Sequence, residues 1–168
     1  MHDQPRYSPL EASSFFADNT ASRAPVPGTV ARGQLRDDEL LYQGTADGQP
    51  ADVFPFAIDD AVMARGQEAF NAFCSPCHGR TGRGDGIVVK RGYTRPPDLT
   101  DPNTASAPVG HYFNVITNGF GAMPDHAAQV KVRDRWAIVA YLRALQASTS
   151  ASINEIPPAE RTRLEAGR

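Results

Sequence analysis

A mostly α-helical fold with irregular extensions at both ends is expected for this 168-residue chain, and three features predict it. Between residues 59 and 147, three stretches repeat apolar side chains at helical spacing. The first 58 residues sustain neither a helical nor an alternating period, and Pro5, Pro9, Pro25, Pro27, Pro50 and Pro55 break every candidate element there. The residues after Ser148 are polar, with a short helix expected around 158–166. The expected organisation is an extended N-terminal arm at 1–58, a small helical domain at 59–147 and a tail at 148–168.

The first helix starts at Asp59 or Asp60, either of which can cap it. Val62, Gly66, Ala69, Phe70 and Phe73 fall on one face, and the helix runs into Cys74-Ser75-Pro76-Cys77-His78. The second covers His111 to Thr117, groups Tyr112, Val115 and Ile116, and stops at Asn118-Gly119. The third, about Val132 to Ala147, is the strongest, with Asp134 in its first turn and Trp136, Ile138, Val139, Tyr141, Leu142 and Leu145 inside it. Gly- and Pro-rich loops fill 79–110 between the first two, and no internal repeat is visible. The arm holds apolar clusters that a free linker seldom carries: Tyr7 and Leu10, Phe15-Phe16, Leu40-Leu41-Tyr42 and Val53-Phe54-Pro55-Phe56. It either wraps its own domain or docks on another subunit, and its length favours docking.

Composition narrows the function. The formal net charge is −2, so no basic field points to nucleic acid or an anionic membrane. The charge is uneven: residues 1–58 carry 4 basic and 8 acidic groups, residues 59–147 carry 10 and 8, and residues 148–168 carry 3 and 3. The longest apolar run, Trp136 to Leu142, is far short of the roughly 20 residues a bilayer span needs. Two cysteines cannot build a disulfide scaffold.

Those two cysteines carry the chemistry. Cys74-x-x-Cys77-His78 is the attachment pattern of c-type haem: two thiols three residues apart form thioethers to one haem, and the next histidine stands over the iron as proximal ligand. A structural zinc site needs about four ligands, and His2, His111 and His126 are scattered with no H-x₃₋₅-H pair among them. A thioredoxin-like dithiol needs a βαβ setting that the sequence lacks. A chance match is the remaining bland reading. The cofactor expected is therefore one haem c, covalent through Cys74 and Cys77. Gly79-Arg80-Thr81-Gly82-Arg83-Gly84-Asp85-Gly86 superficially matches a nucleotide loop, but no strand precedes it, and a haem-flanking loop explains it better.

Met123 is the candidate sixth ligand. It lies in Gly119-Phe120-Gly121-Ala122-Met123-Pro124, where glycines allow close approach and proline holds the following backbone extended. A thioether opposite histidine raises the potential and closes the iron to oxygen and peroxide, which argues for electron transfer rather than catalysis at iron or haem sensing. The rivals are His126, then His111 and Met63; a methionine filling a core gap is the structural alternative.

Residues 59–147 resemble a class I cytochrome c. In that family a glycine and an aromatic on the first helix meet an aromatic on the last, and Gly66, Phe70 and Tyr141 match those places; Trp136 belongs to the same packing or to the haem edge. His78 is expected to donate its second ring N–H to a backbone carbonyl. The resemblance points to the Pro96-Pro97 pair as acceptor, with neither proline preferred and Pro97 carried as the site candidate. Arg91, Arg95, Tyr93 and Tyr112 are available to the propionates, and Arg91 and Tyr112 are the candidates taken, although a solvated surface role fits each of them as well.

A second resemblance covers residue 1 to about 147. Met1-His-Asp-Gln-Pro-Arg-Tyr7, Pro25 to Gly33, Arg65 to His78, Gly110 to Gly121 and Asp134 to Leu145 are similar to the monohaem cytochrome c subunit of alternative complex III, a bacterial membrane quinol oxidoreductase. The resemblance implies placement on the periplasmic face and neighbours that include a multihaem cytochrome c and an iron–sulfur subunit. It also implies electron delivery to a soluble carrier or a terminal oxidase, with no bond chemistry on this chain. Members are often lipoproteins anchored through an N-terminal cysteine. Residues 1–168 contain neither that cysteine nor a signal peptide, so the expectation is that a leader was removed or that the sequence begins after it. The alternative is a freely diffusing monohaem shuttle, which gains nothing from so long an arm.

Overall fold

Asp38 and Asp59 each accept a backbone N–H two residues into the helix that follows, from Leu41 and Val62 at 2.8 Å, and so start helices α1 (Glu39–Gln43) and α2 (Asp60–Ala69). The computed structural model describes residues 4–8 and 10–166. The chain divides after Arg36 into two units. In the first, Ala12 and Thr20 form an isolated antiparallel bridge and Arg23 grips Asp18 through two bonds of 2.8 and 2.9 Å. Only Ser13 is buried there among the described residues, while Tyr7, Leu10, Phe15, Val26, Val30 and Leu35 are exposed.

The second unit is mostly helical. After α1, a two-stranded hairpin pairs β1 (Thr45–Ala46) with β2 (Gln49–Pro50), Thr45 opposite Pro50. Then come α2, a π-helical turn (Phe70–Cys74), α3 (Ser75–His78), α4 (Pro102–Ala105), α5 (Val109–Asn118), α6 (Val132–Ser150) and α7 (Pro158–Ala166). Single 3₁₀ turns lie at Val89–Arg91 and Ile153–Glu155. Among the described residues no helix is long and apolar enough to cross a membrane.

The α2–α6 crossing is the most extensive helix contact in the unit. It needs Gly66: a Cβ there would sit 2.1 Å from the Ala137 carbonyl oxygen and 3.0 Å from Tyr141 Cβ. Phe70 packs on Tyr141 with ring centroids 5.5 Å apart. Outside the apolar contact Arg65 closes the crossing with paired bonds to Asp134 of 3.0 and 2.7 Å. The helical face expected from the sequence is therefore present, with one correction. Gly66, Ala69 and Phe70 are buried, but Phe73 is 39% exposed, because the π turn adds a residue and rotates it off the face.

Trp136 and Phe113 are fully buried and stack at 4.5 Å, with Phe54 edge-on to the indole at 5.8 Å. The indole N–H donates to the Leu41 carbonyl at 2.9 Å. Residues 37–58 thus pack on the helical core, and the unit begins well before the first periodic helix. Leu40, Leu41, Phe54 and Phe56 lie against that core, and Ala51 bridges Gly44 and Gly110 by backbone bonds of 2.9 and 2.8 Å. A Cβ on Gly110 would lie 1.9 Å from the Gly44 oxygen, so bare backbones meet there. A five-residue helix and two-residue strands are too short to print a period on the sequence.

The remaining differences are at helix ends. Helix α5 starts two residues before His111 and buries Phe113 beside Tyr112 and Ile116. Helix α6 runs on to Ser150, and α7 lies where a short tail helix was expected.

Candidate functional site

The π turn ends at Cys74, and α3 carries Ser75, Pro76, Cys77 and His78, so both thiols and the imidazole sit on one helical turn. Cys74 is half-buried against the core and Cys77 is exposed. Burial, then the nearby Cys77, pushes the Cys74 thiol up to about 12. Among the described residues no group of three or more His, Cys, Asp and Glu converges as a metal cage.

His78 lies below its ordinary pKa, first because it is buried and second because His126 sits near enough for its charge to be felt. The ring is therefore neutral at pH 7, the state in which imidazole ligates a metal. Its Nδ1 is buried without a hydrogen-bond partner. The expected bond to the Pro96-Pro97 pair is not formed. The Pro96 oxygen instead abuts Gly84, where a Cβ would lie 2.4 Å away, and Pro97 is exposed.

Loop 79–88 is tied directly onto the motif. Gly84 N–H donates to the His78 carbonyl at 2.8 Å, Gly86 N–H to Cys77 at 3.1 Å and Val88 N–H to Pro76 at 3.1 Å. Met123 lies half-buried in a tight turn closed by reciprocal 3.0 Å bonds with Phe120. His126 N–H donates to the Ile116 carbonyl at 2.9 Å, and its Nδ1 lies 3.0 Å from the Pro124 oxygen. His126, the rival ligand, is thus held in the same loop as Met123.

Arg135 fixes that loop, and the sequence reading missed it. It is 5% exposed, donating from Nε to the Val130 carbonyl at 2.9 Å and from Nη1 to Thr117 Oγ1 at 2.7 Å. Gln146, also buried, donates to the Leu99 carbonyl at 2.8 Å and to Tyr112 Oη at 3.1 Å. The signal was available: Arg135, Val139, Leu142 and Gln146 share one helical stripe, so two polar residues stand at core positions. The Tyr112 hydroxyl donates to the Thr104 carbonyl and accepts from Gln146, which makes Tyr112 a core anchor. Arg91 is exposed on its 3₁₀ turn.

Residues 61–142 match the family model described as cytochrome C oxidase, cbb3-type, subunit III. Over that segment, just under half of the chain, the protein is similar to a cytochrome c domain. Such a domain implies covalently bound haem c and haem-based electron transfer. The residues present fit that group: paired thiols one turn apart and a buried imidazole beside them. A search of curated proteins gives no match. Among solved structures, the chain is similar to one from the Kuenenia stuttgartiensis reducing HAO-like protein complex. The identity is 21% and the TM-score 0.48, over 64% of this chain and 54% of that one. The chain thus spans about half the length of that structure, and a likeness of this size says nothing of function.

Proposed function

We propose that the cytochrome c domain is the monohaem electron-transfer subunit of a membrane quinol-oxidising complex, on the extracytoplasmic face of a bacterial inner membrane. Cys74 and Cys77 would hold one haem c by thioethers, and His78 and Met123 are the residues that would ligate its iron. Bound there, haem c supplies a one-electron couple at iron. The chain's own part is to hold, orient and shield: the π turn aims the motif, loop 79–88 covers it, and Arg135 holds the Met123 loop. No bond chemistry takes place on the chain. The observation that carries the reading is the buried His78 held on one helical turn directly after the paired thiols Cys74 and Cys77.

The partners are a multihaem cytochrome c and an iron–sulfur subunit, with delivery to a soluble carrier or terminal oxidase. Residues 4–8 and 10–36 support an assembly role, since they expose Tyr7, Leu10, Phe15, Val26, Val30 and Leu35 and bury only Ser13 among the described residues.

Gentle detergent extraction of native membranes, sized with detection of this chain and of c-type haem absorbance, tests it. A large particle carrying further haems and iron–sulfur clusters is expected. A soluble species of the chain's own mass would replace the subunit by a diffusing shuttle and leave the haem assignment in place.

A further inference from the structure

We propose that loop 79–95 is the docking face for an acidic electron-transfer protein. The inference rests on the electron-transfer reading and adds where, and to what kind of partner, the electron leaves. Three backbone bonds lay the loop on the attachment motif: Gly84 to His78, Gly86 to Cys77 and Val88 to Pro76. A Cβ on Gly86 would lie 2.2 Å from the Pro76 oxygen, so the two backbones touch. Whatever binds this loop is therefore held within a few residues of Cys77 and His78.

The loop has an interface's composition. It carries Arg80, Arg83, Lys90, Arg91 and Arg95 against the single acid Asp85, and all five cations are exposed. Asp98 balances Arg83 and Arg95 in part: hydrogen bonds from Thr100 chiefly, then these two charges, lower its pKa. Arg80, Lys90 and Arg91 take part in no ion pair among the described residues. Arg80 and Lys90 rim an open cleft of about 340 Å³ whose floor includes Ser75 and Pro76 of the motif. Amid these cations stand Ile87 and Tyr93, 56% and 74% exposed. A small apolar centre within a charged rim suits a brief redox encounter, which needs little buried area.

The sign of the charge selects the partner. The net −2 conceals a separation: residues 37–60 carry seven acids and no Lys or Arg, whereas loop 79–95 is strongly positive. An acidic protein is drawn to the loop and a basic one repelled, an effect on association rate that salt removes.

The test uses the full-length haem-loaded protein, reduced, and two matched probes: a small basic cytochrome and the same cytochrome with its lysines succinylated. Stopped-flow electron transfer at low ionic strength should favour the succinylated probe by about tenfold or more, and high salt should abolish the preference. Arg80→Glu with Lys90→Glu should cut or invert it without changing the haem spectrum, and Arg80→Gln with Lys90→Gln should fall between. A haem-loaded protein with no preference, or one that both pairs of variants leave intact, overturns the proposal alone. A chain that carries no covalent haem overturns the functional reading and this proposal together.

Discussion

Replacing Arg135 by Met keeps much of the side-chain length and removes the clasp that joins α6 to the Met123 loop. Two short bonds disappear, to the Val130 carbonyl at 2.9 Å and to Thr117 Oγ1 at 2.7 Å. Bonds from a charged donor contribute about 1.5–3 kcal/mol each. Relief from burying a guanidinium offsets part of that sum. Val130 is itself only 2% exposed, so its freed carbonyl gains little from water. The net expected loss is about 2–4 kcal/mol, equivalent to a fall in Tm of roughly 10 °C for a unit of this size. Urea unfolding of the haem-loaded protein checks it, with a lower midpoint and an unchanged slope. The same variant should admit carbon monoxide to the reduced protein more readily, because the Met123 loop is no longer held. Arg135→Lys should recover only part of both effects. A stability loss below about 1 kcal/mol, with carbon monoxide binding unchanged, would refute the clasp.

Four further outcomes are expected. Met123→Ala should lower the reduction potential and let the reduced protein bind carbon monoxide; continued inertness would pass the ligand role to His126. Gly66→Ala should destabilise by about 1–3 kcal/mol by thermal melting, since its methyl group would meet the Ala137 carbonyl. Removing residues 1–36 should leave melting temperature and haem spectrum intact, whereas removing 1–58 should cost both, because Leu41 and Ala51 then leave the core. For pH, the Arg65 hydrogen bonds hold Asp134 below its usual carboxylate value. Its stabilisation is therefore complete above about pH 4 and lost as pH falls further, so urea midpoints of wild type and Asp134→Asn should converge in acid.

What could be read from the residues depended on how far each interaction reached along the chain. The three long helices showed themselves because each spans several turns of apolar repetition, and Cys74, Cys77 and His78 because their spacing is local. Phe73 was misplaced because a π turn is a one-residue insertion that no local pattern announces. Residues 37–58 looked like arm because what fixes them is distant: a carbonyl at Leu41 bonded by Trp136, and bare backbone contact between Gly44 and Gly110. Arg135 and Gln146 went unremarked because polar side chains do not enter an apolar pattern, although both stand on the buried stripe of α6.

Trp136 is the chain's one tryptophan, and its placement gives the protein an optical gauge of its own assembly. The indole is sealed between Phe113 and Phe54 and bonded to Leu41, so its emission is set by whether residues 37–58 are seated. Peeling that segment away exposes the ring to water and moves the emission to the red. A covalently held porphyrin absorbs the same emission, so intensity follows cofactor loading while wavelength follows packing. One chromophore, without labelling, separates a chain that has folded from a chain that has matured.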